Sequence, residues 1–99
     1  MKILAIIDVA QDASMESIRA EIKNEIMGSW KLFSSGVLRE AYSTATPGRV
    51  VFILEADDIA RARAHLRELP LVAAGLLTLE LMELRPFANW SMLFSGPGS

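Results

Sequence analysis

The segment Leu66-Arg67-Glu68-Leu69-Pro70-Leu71-Val72-Ala73-Ala74-Gly75-Leu76-Leu77-Thr78-Leu79-Glu80-Leu81 constrains the fold more than any other part of the chain. A helix enters a proline-marked corner and gives way to a strand that is apolar on nearly both sides. A strand in a small sheet with one wet face alternates apolar and polar residues. This one barely alternates, so its second face needs a cover, most simply another copy of the same chain. The chain has 99 residues, enough for one domain with one modest core. It is 52% hydrophobic with a mean hydropathy of +0.31, and such an excess on a small chain usually ends in a subunit interface.

The same composition excludes several classes of function. A formal net charge of -2 supplies no basic field for nucleic acid. Cysteine is absent, which removes disulfides and thiolate metal sites and fits a reducing compartment. The apolar start Ile3-Leu4-Ala5-Ile6-Ile7 is too short for a signal peptide and meets a charge at Asp8. No apolar run approaches the roughly eighteen residues of a spanning helix. The expectation is a cytoplasmic protein that binds neither membrane nor nucleic acid.

Residues 2 to 9 read as a buried strand. Ser14 or Asp12 caps the helix that follows, and Glu16 sits well in its first turn. Ile18, Ile22, Ile26, Trp30 and Phe33 recur on a helical period, which predicts one buried stripe. Gly36 suits a left-handed residue just past the helix end. Residues 37 to 45 and 49 to 56 fit a hairpin about the turn Pro47-Gly48. Asp57 or Asp58 caps a second helix from Ile59 to about Glu68, which Pro70 ends, and a fourth strand covers about 76 to 85. The order β-α-β-β-α-β is the ferredoxin-like arrangement, an α+β fold with an antiparallel sheet and both helices on one face. Residues 1 to 95 make one such domain. Its C-terminal arm, 86 to 94, carries Phe87, Trp90, Met92, Leu93 and Phe94 with no periodic partner inside the domain. Water does not hold that much apolar area cheaply, so the arm should pack on a neighbouring subunit or close a cavity. Residues 96 to 99, Gly-Pro-Gly-Ser, have the composition of a flexible tail of the kind an expression vector leaves.

Strand parity predicts what lines the uncovered sheet face. Ile3, Ala5, Ile7, Val9, Leu77, Leu79 and Leu81 should face the helices. Leu4, Ile6, Asp8, Leu76, Thr78, Glu80, Met82 and Leu84 should face the other way. The second strand adds either Arg39 and Ser43 or Glu40, Tyr42 and Thr44. Covered by a second subunit, this face would be an apolar pocket with a few polar groups, as small-molecule sites are. A carboxylate there would have a raised pKa unless Arg39 paired with it, and would serve as an acid or base near neutrality.

The chain resembles the dimeric α+β barrel superfamily and, within it, the muconolactone isomerase group. The resemblance spans about residues 2 to 90. It rests on Leu69-Pro70-Leu71 before the fourth strand, on Ser35-Gly36-Val37-Leu38-Arg39 after the first helix, and on Arg85-Pro86-Phe87. It implies two ferredoxin-like subunits packed sheet to sheet, higher assemblies, and a cofactor-free proton shift on a small unsaturated lactone. Leu4 and Ile6 depart from the polar, basic first strand of those isomerases, and Glu21 and Glu25 match their acidic helix loosely. Relatives also work as cyclases and cofactor-independent oxygenases in natural-product pathways, and a greasier pocket suits an aromatic or polyketide-like ligand.

These readings give a cofactor-independent isomerase or cyclase acting on a small hydrophobic carbonyl compound. Glu80 or Asp8 would move the proton and Tyr42 or Arg39 would hold the oxyanion. Thr78, Met82, Trp30 and Glu25 would contact substrate, and Glu25, close to the buried stripe of the first helix, could reach the pocket as a proton carrier. Each has a plainer structural alternative: a turn or cap for Asp8, an ion pair with Arg39 for Glu80, packing for Tyr42, core for Trp30, and an edge salt bridge for Glu25. His65 reads as solvated, and one histidine without cysteine makes a metal site improbable. The competing function is a non-catalytic small-molecule-binding or assembly domain, and a third is an oxygenase of the same fold.

Overall fold

Two eight-residue runs near the ends of the chain form the longest strands, β1 (Lys2–Val9) and β4 (Leu77–Leu84). In the computed structural model, which describes residues 1–94 and 96, they pair antiparallel with Leu4 opposite Met82 and Ile6 opposite Glu80. Between them in sequence come α1 (Met15–Ser34), β2 (Leu38–Ser43), β3 (Val50–Glu55), α2 (Ile59–Leu66) and a short α3 (Pro70–Ala73). The sheet order is β2-β3-β1-β4, with every neighbouring pair antiparallel. This is the ferredoxin-like α+β arrangement that the element order predicts.

Period-two alternation sorts the strands as expected. Ile3, Ala5, Ile7 and Leu54 are buried, and Phe52, Leu77, Leu79 and Leu81 pack on the same core. Leu32 of α1, Ala62 and Leu66 of α2, and Leu69 close that core from above, so both long helices cover one sheet face. Ser14 caps α1 by accepting a hydrogen bond from Ser17 N, and Asp58 caps α2 through Arg61 N. Gly36 lies just past α1 at φ 86°, a conformation that a side chain disfavours. Gly48 turns the hairpin at φ 80°.

Two expectations are corrected. Pro70 does not end the second helix. That helix stops at Leu66, and Pro70 instead starts α3, where its missing N–H costs nothing at the first helical position. The stripe Ile22, Ile26, Trp30 and Phe33 is not buried: these residues are 38%, 60%, 61% and 48% exposed, and of the predicted set only Ile18 lies in the core. The line of α1 that enters the core is Ile18, Glu25 and Leu32. At 100° per residue this line lies roughly a quarter turn from the apolar stripe.

The arm after β4 leaves the body. Its 3-10 helix (Ala88–Leu93) has no buried residue, and Phe87, Trp90, Met92, Leu93 and Phe94 are 62–84% exposed. The chain measures 63 × 28 × 20 Å with a radius of gyration of 16.9 Å, against about 13 Å for a compact chain of this length. Of the expected flexible tail, residues 97 to 99 lie outside the described residues.

Candidate active site

The sheet's uncovered face carries most of the polar groups that strand parity singles out, but does not gather them. The pairing places Tyr42, Val51, Ile6 and Glu80 in one row across the four strands. Tyr42 and Glu80 are thus at opposite edges, about 14 Å apart at the usual strand spacing. The Tyr42 hydroxyl donates to Glu40, which raises the tyrosine pKa because the hydrogen bond and the nearby charge both disfavour a phenolate. Asp8 receives a two-pronged contact from Arg49, Nε to Oδ1 at 2.8 Å and Nη2 to Oδ2 at 3.3 Å. Thr78 donates to the Asp8 backbone oxygen at 3.5 Å. Met82 is 37% exposed on the same face.

The open choice for the second strand resolves toward Glu40 and Tyr42. A register shift between Leu38 and Glu40 takes Arg39 out of the alternation, and its Nε donates to the Gly36 carbonyl. An ion pair between Arg39 and Glu80 therefore does not form. Arg39 instead adds a weak attraction to Glu55, whose pKa is lowered mainly by its hydrogen bond from the Met1 amino group. Trp30 is not core; it stacks on Phe33 at 5.5 Å in a groove that Ile26, Ser29, Leu38 and Ala41 complete.

The other side of the sheet holds a more enclosed space. A cavity of about 310 Å³ opens between α1, α3 and the ends of β1, β3 and β4. Apart from Ser29, Gly48 and Glu25, its lining is apolar, with Ile7, Ile18, Ile22, Val50, Phe52, Leu71 and Leu77 among its walls. Glu25 is its one ionisable side chain and is 9% exposed. Among the described residues no salt bridge holds it. Its Oε1 accepts the Leu71 N–H at 2.8 Å, a donor that the first turn of a helix cannot satisfy internally. Leu69 offers α3 no side-chain cap, so Glu25 caps α3 from across the core. Burial pushes the Glu25 pKa up, and the Leu71 hydrogen bond offsets part of that rise. Oε2 makes no hydrogen bond among the described residues, yet no buried side-chain oxygen is sealed off unpaired. The carboxyl thus keeps one oxygen free beside an apolar space.

A larger, shallower groove of about 590 Å³ runs between α1 and α2 past Asn24, Lys31, His65 and Glu68. It is more open to solvent and mixes these polar groups with Met27, Leu32, Leu69 and Pro70. In the sequence Glu25 reads as a residue beside the apolar stripe of α1, either a proton carrier or substrate contact reaching a pocket or an edge residue in a salt bridge. The seven-residue spacing Ile18–Glu25–Leu32 is the sequence signal that places it inward.

No family profile and no curated protein matches the sequence. Solved structures do match. A muconolactone isomerase superposes with TM-score 0.70 over 88% of this chain and 93% of its own, at 15% identity. The chain has the muconolactone isomerase fold. A 5-chloro-2-hydroxyhydroquinone dehydrochlorinase from Burkholderia phenoliruptrix, in complex with 2,5-dihydroxybenzoquinone, is similar at TM-score 0.60 and 16% identity over 86% of this chain and 94% of its own. An antibiotic biosynthesis monooxygenase is similar at TM-score 0.53 and 19% identity over 87% of this chain and 100% of its own. All three are of the dimeric α+β barrel superfamily. No helix among the described residues is long and apolar enough to cross a membrane.

Proposed function

We propose that the protein is a cofactor-independent isomerase or cyclase that moves a proton on a small, neutral, hydrophobic carbonyl compound, with Glu25 as the proton carrier. The observation that supports this most is a lone carboxyl of raised pKa in an apolar cavity. A carboxyl poised closer to neutrality both takes and returns a proton. In the carboxylate form it removes the hydrogen next to the carbonyl; as the acid it returns the proton further along the conjugated system. The Leu71 N–H keeps Oε1 fixed while Oε2 does the exchange. Ser29 follows Glu25 by one helical turn in the lining; its hydroxyl donates to the Ile26 carbonyl at 2.7 Å and would have to turn from that bond to hold the carbonyl oxygen as negative charge develops. The lining offers no cation, which favours an uncharged ligand over an anionic one.

Glu25 thereby takes the proton-transfer part first given to Glu80 or Asp8. Asp8, Arg39, Tyr42, Thr78, Glu80 and Met82 belong, in this reading, to a sheet-to-sheet contact between two subunits. Leu4, Ile6, Val51, Ile53 and Met82 give that face its apolar centre. The isomerase and dehydrochlorinase among the similar structures support an enzyme, and the monooxygenase keeps an oxygenase of this fold as the alternative. A cytoplasmic place and a natural-product pathway fit the cysteine-free sequence and the greasy cavity.

The test uses α-angelica lactone, a neutral butenolide whose proton shift yields a conjugated isomer, in D2O. Wild-type protein should accelerate the shift and the uptake of deuterium, and Glu25→Gln should lower the rate by about 10²-fold or more. Undiminished turnover by Glu25→Gln would remove Glu25 from the reaction. A wild-type protein that binds the lactone without exchanging its hydrogens would be a binding domain instead.

A further inference from the structure

We infer that the C-terminal arm of one copy lies in the groove beside α1 of another copy and covers the mouth of its Glu25 cavity. Three observations carry this. The first is the arm itself: Phe87, Trp90 and Phe94 expose on the order of 400 Å² of ring surface. That is as much as the largest apolar patch on a typical monomer. The second is the receiving surface. Ile26, Trp30, Phe33 and Ala41 form an apolar groove along α1 and β2, and it is continuous with the cavity because Ile26 and Ser29 line both. Aromatic rings laid along this groove would stack on the Trp30–Phe33 pair and end over Ile22 and Ile26.

The third is reach. The arm leaves the sheet at Leu84, beside Lys2, whereas the cavity lies at the other end of the strands, by Val9, Leu77 and Val50. A strand of eight residues spans about 27 Å. Nine arm residues at the 3-10 rise span about 18 Å. An arm cannot therefore cover the cavity of its own chain in the conformation it has, and its own chain buries none of its 3-10 helix. Two reciprocal exchanges, each arm with its groove, bury roughly 1,600 Å², the size of a standard stable interface. The occupant is accordingly a second copy. The partner then contributes the lid of the site, and the ligand enters when the arm lifts.

The inference uses the proposed function only to name what the arm covers, and its main test does not read activity. The chain has no cysteine, so single cysteines report cleanly. One preparation carries Ala41→Cys and the other Met92→Cys, both exposed positions. Mixed and oxidised, they should form a cross-linked heterodimer that Trp30→Ser in the Ala41→Cys chain suppresses several-fold. A chain carrying both cysteines should give intermolecular products at every dilution at which the assembly persists. Failure to cross-link, or a purely intramolecular product, overturns the exchange. A second measurement reads the lid: in chains ending at Arg85, the neutral dye N-phenyl-1-naphthylamine should leave the cavity about tenfold faster than in the full chain. An unchanged rate would mean that the arm covers nothing there.

Discussion

Replacing Glu25 in two ways separates its roles as cap and as charge. Glu25→Ala removes the acceptor of the Leu71 N–H, a 2.8 Å bond in a buried place. An unsatisfied buried donor costs about 1–3 kcal/mol, and the start of α3 has no other cap. Relief of the buried charge returns part of this, so the net loss should be about 2 kcal/mol, or roughly 10 °C in Tm for a domain of this size. Glu25→Gln keeps an oxygen in the same place and removes only the charge. It should hold Tm within a few degrees of wild type.

The two carboxyl states also set a pH signature. Burial raises the folded pKa of Glu25 above its ordinary 4.5. The folded state then binds more protons than the unfolded state once pH exceeds that ordinary value, so stability falls as pH rises until the folded pKa is passed. Each unit of elevation costs about 1.4 kcal/mol. Glu25→Gln lacks this loss and should gain on wild type as pH rises from the ordinary 4.5 through the raised folded value. Thermal unfolding by circular dichroism at fixed protein concentration measures both effects. The reasoning fails if Gln is as damaging as Ala, or if wild type gains on Glu25→Gln as pH rises.

Two further outcomes follow from burial and pairing. Leu71 is 1% exposed and lies in the wall between α3 and the cavity, so Leu71→Ala should cost about 2–5 kcal/mol in denaturant unfolding, the range for a core leucine. Ile6 stands at the centre of the uncovered sheet face, between Val51 and Glu80, and Ile6→Lys should leave the subunit folded while halving its mass in analytical ultracentrifugation.

The sheet was legible because its pattern has a period of two and one correct phase. Ile3, Ala5 and Ile7 had to share a side, and Leu77, Leu79 and Leu81 could only join them. Helix α1 was legible as a helix but not in its rotation. It carries two usable faces: the apolar stripe from Ile22 to Phe33, and the mixed line Ile18–Glu25–Leu32. Hydrophobicity alone selects the first. The structure buries the second because Gly28 lets the helix approach the α2–α3 corner, where a Cβ would stand 2.8 Å from Leu69 Cδ2. A glycine and a glutamate carry no hydrophobic signal, so a sum over apolar residues cannot find this face. The β2 register was hidden for a related reason: one extra residue at Arg39 reverses the alternation, and no residue type announces such a shift.

The misplaced stripe bears on what the folding unit is. Both tryptophans, Trp30 and Trp90, are more than 60% exposed in the single chain, although tryptophan is among the most buried residues on average. Tyr42, Phe33, Phe87 and Phe94 are about half exposed or more. Charges cannot explain these positions, because the rings sit in continuous apolar surfaces: the sheet face, the α1 groove and the arm. One chain has a single core to offer, built by its two helices and one sheet face. Its remaining apolar side chains are stable in water only at a cost of about 25 cal/mol for each Å² left wet. Their presence on three separate surfaces fits the proposed assembly, in which the proposed proton carrier lies inside its own subunit's core and neighbouring copies would keep it dry.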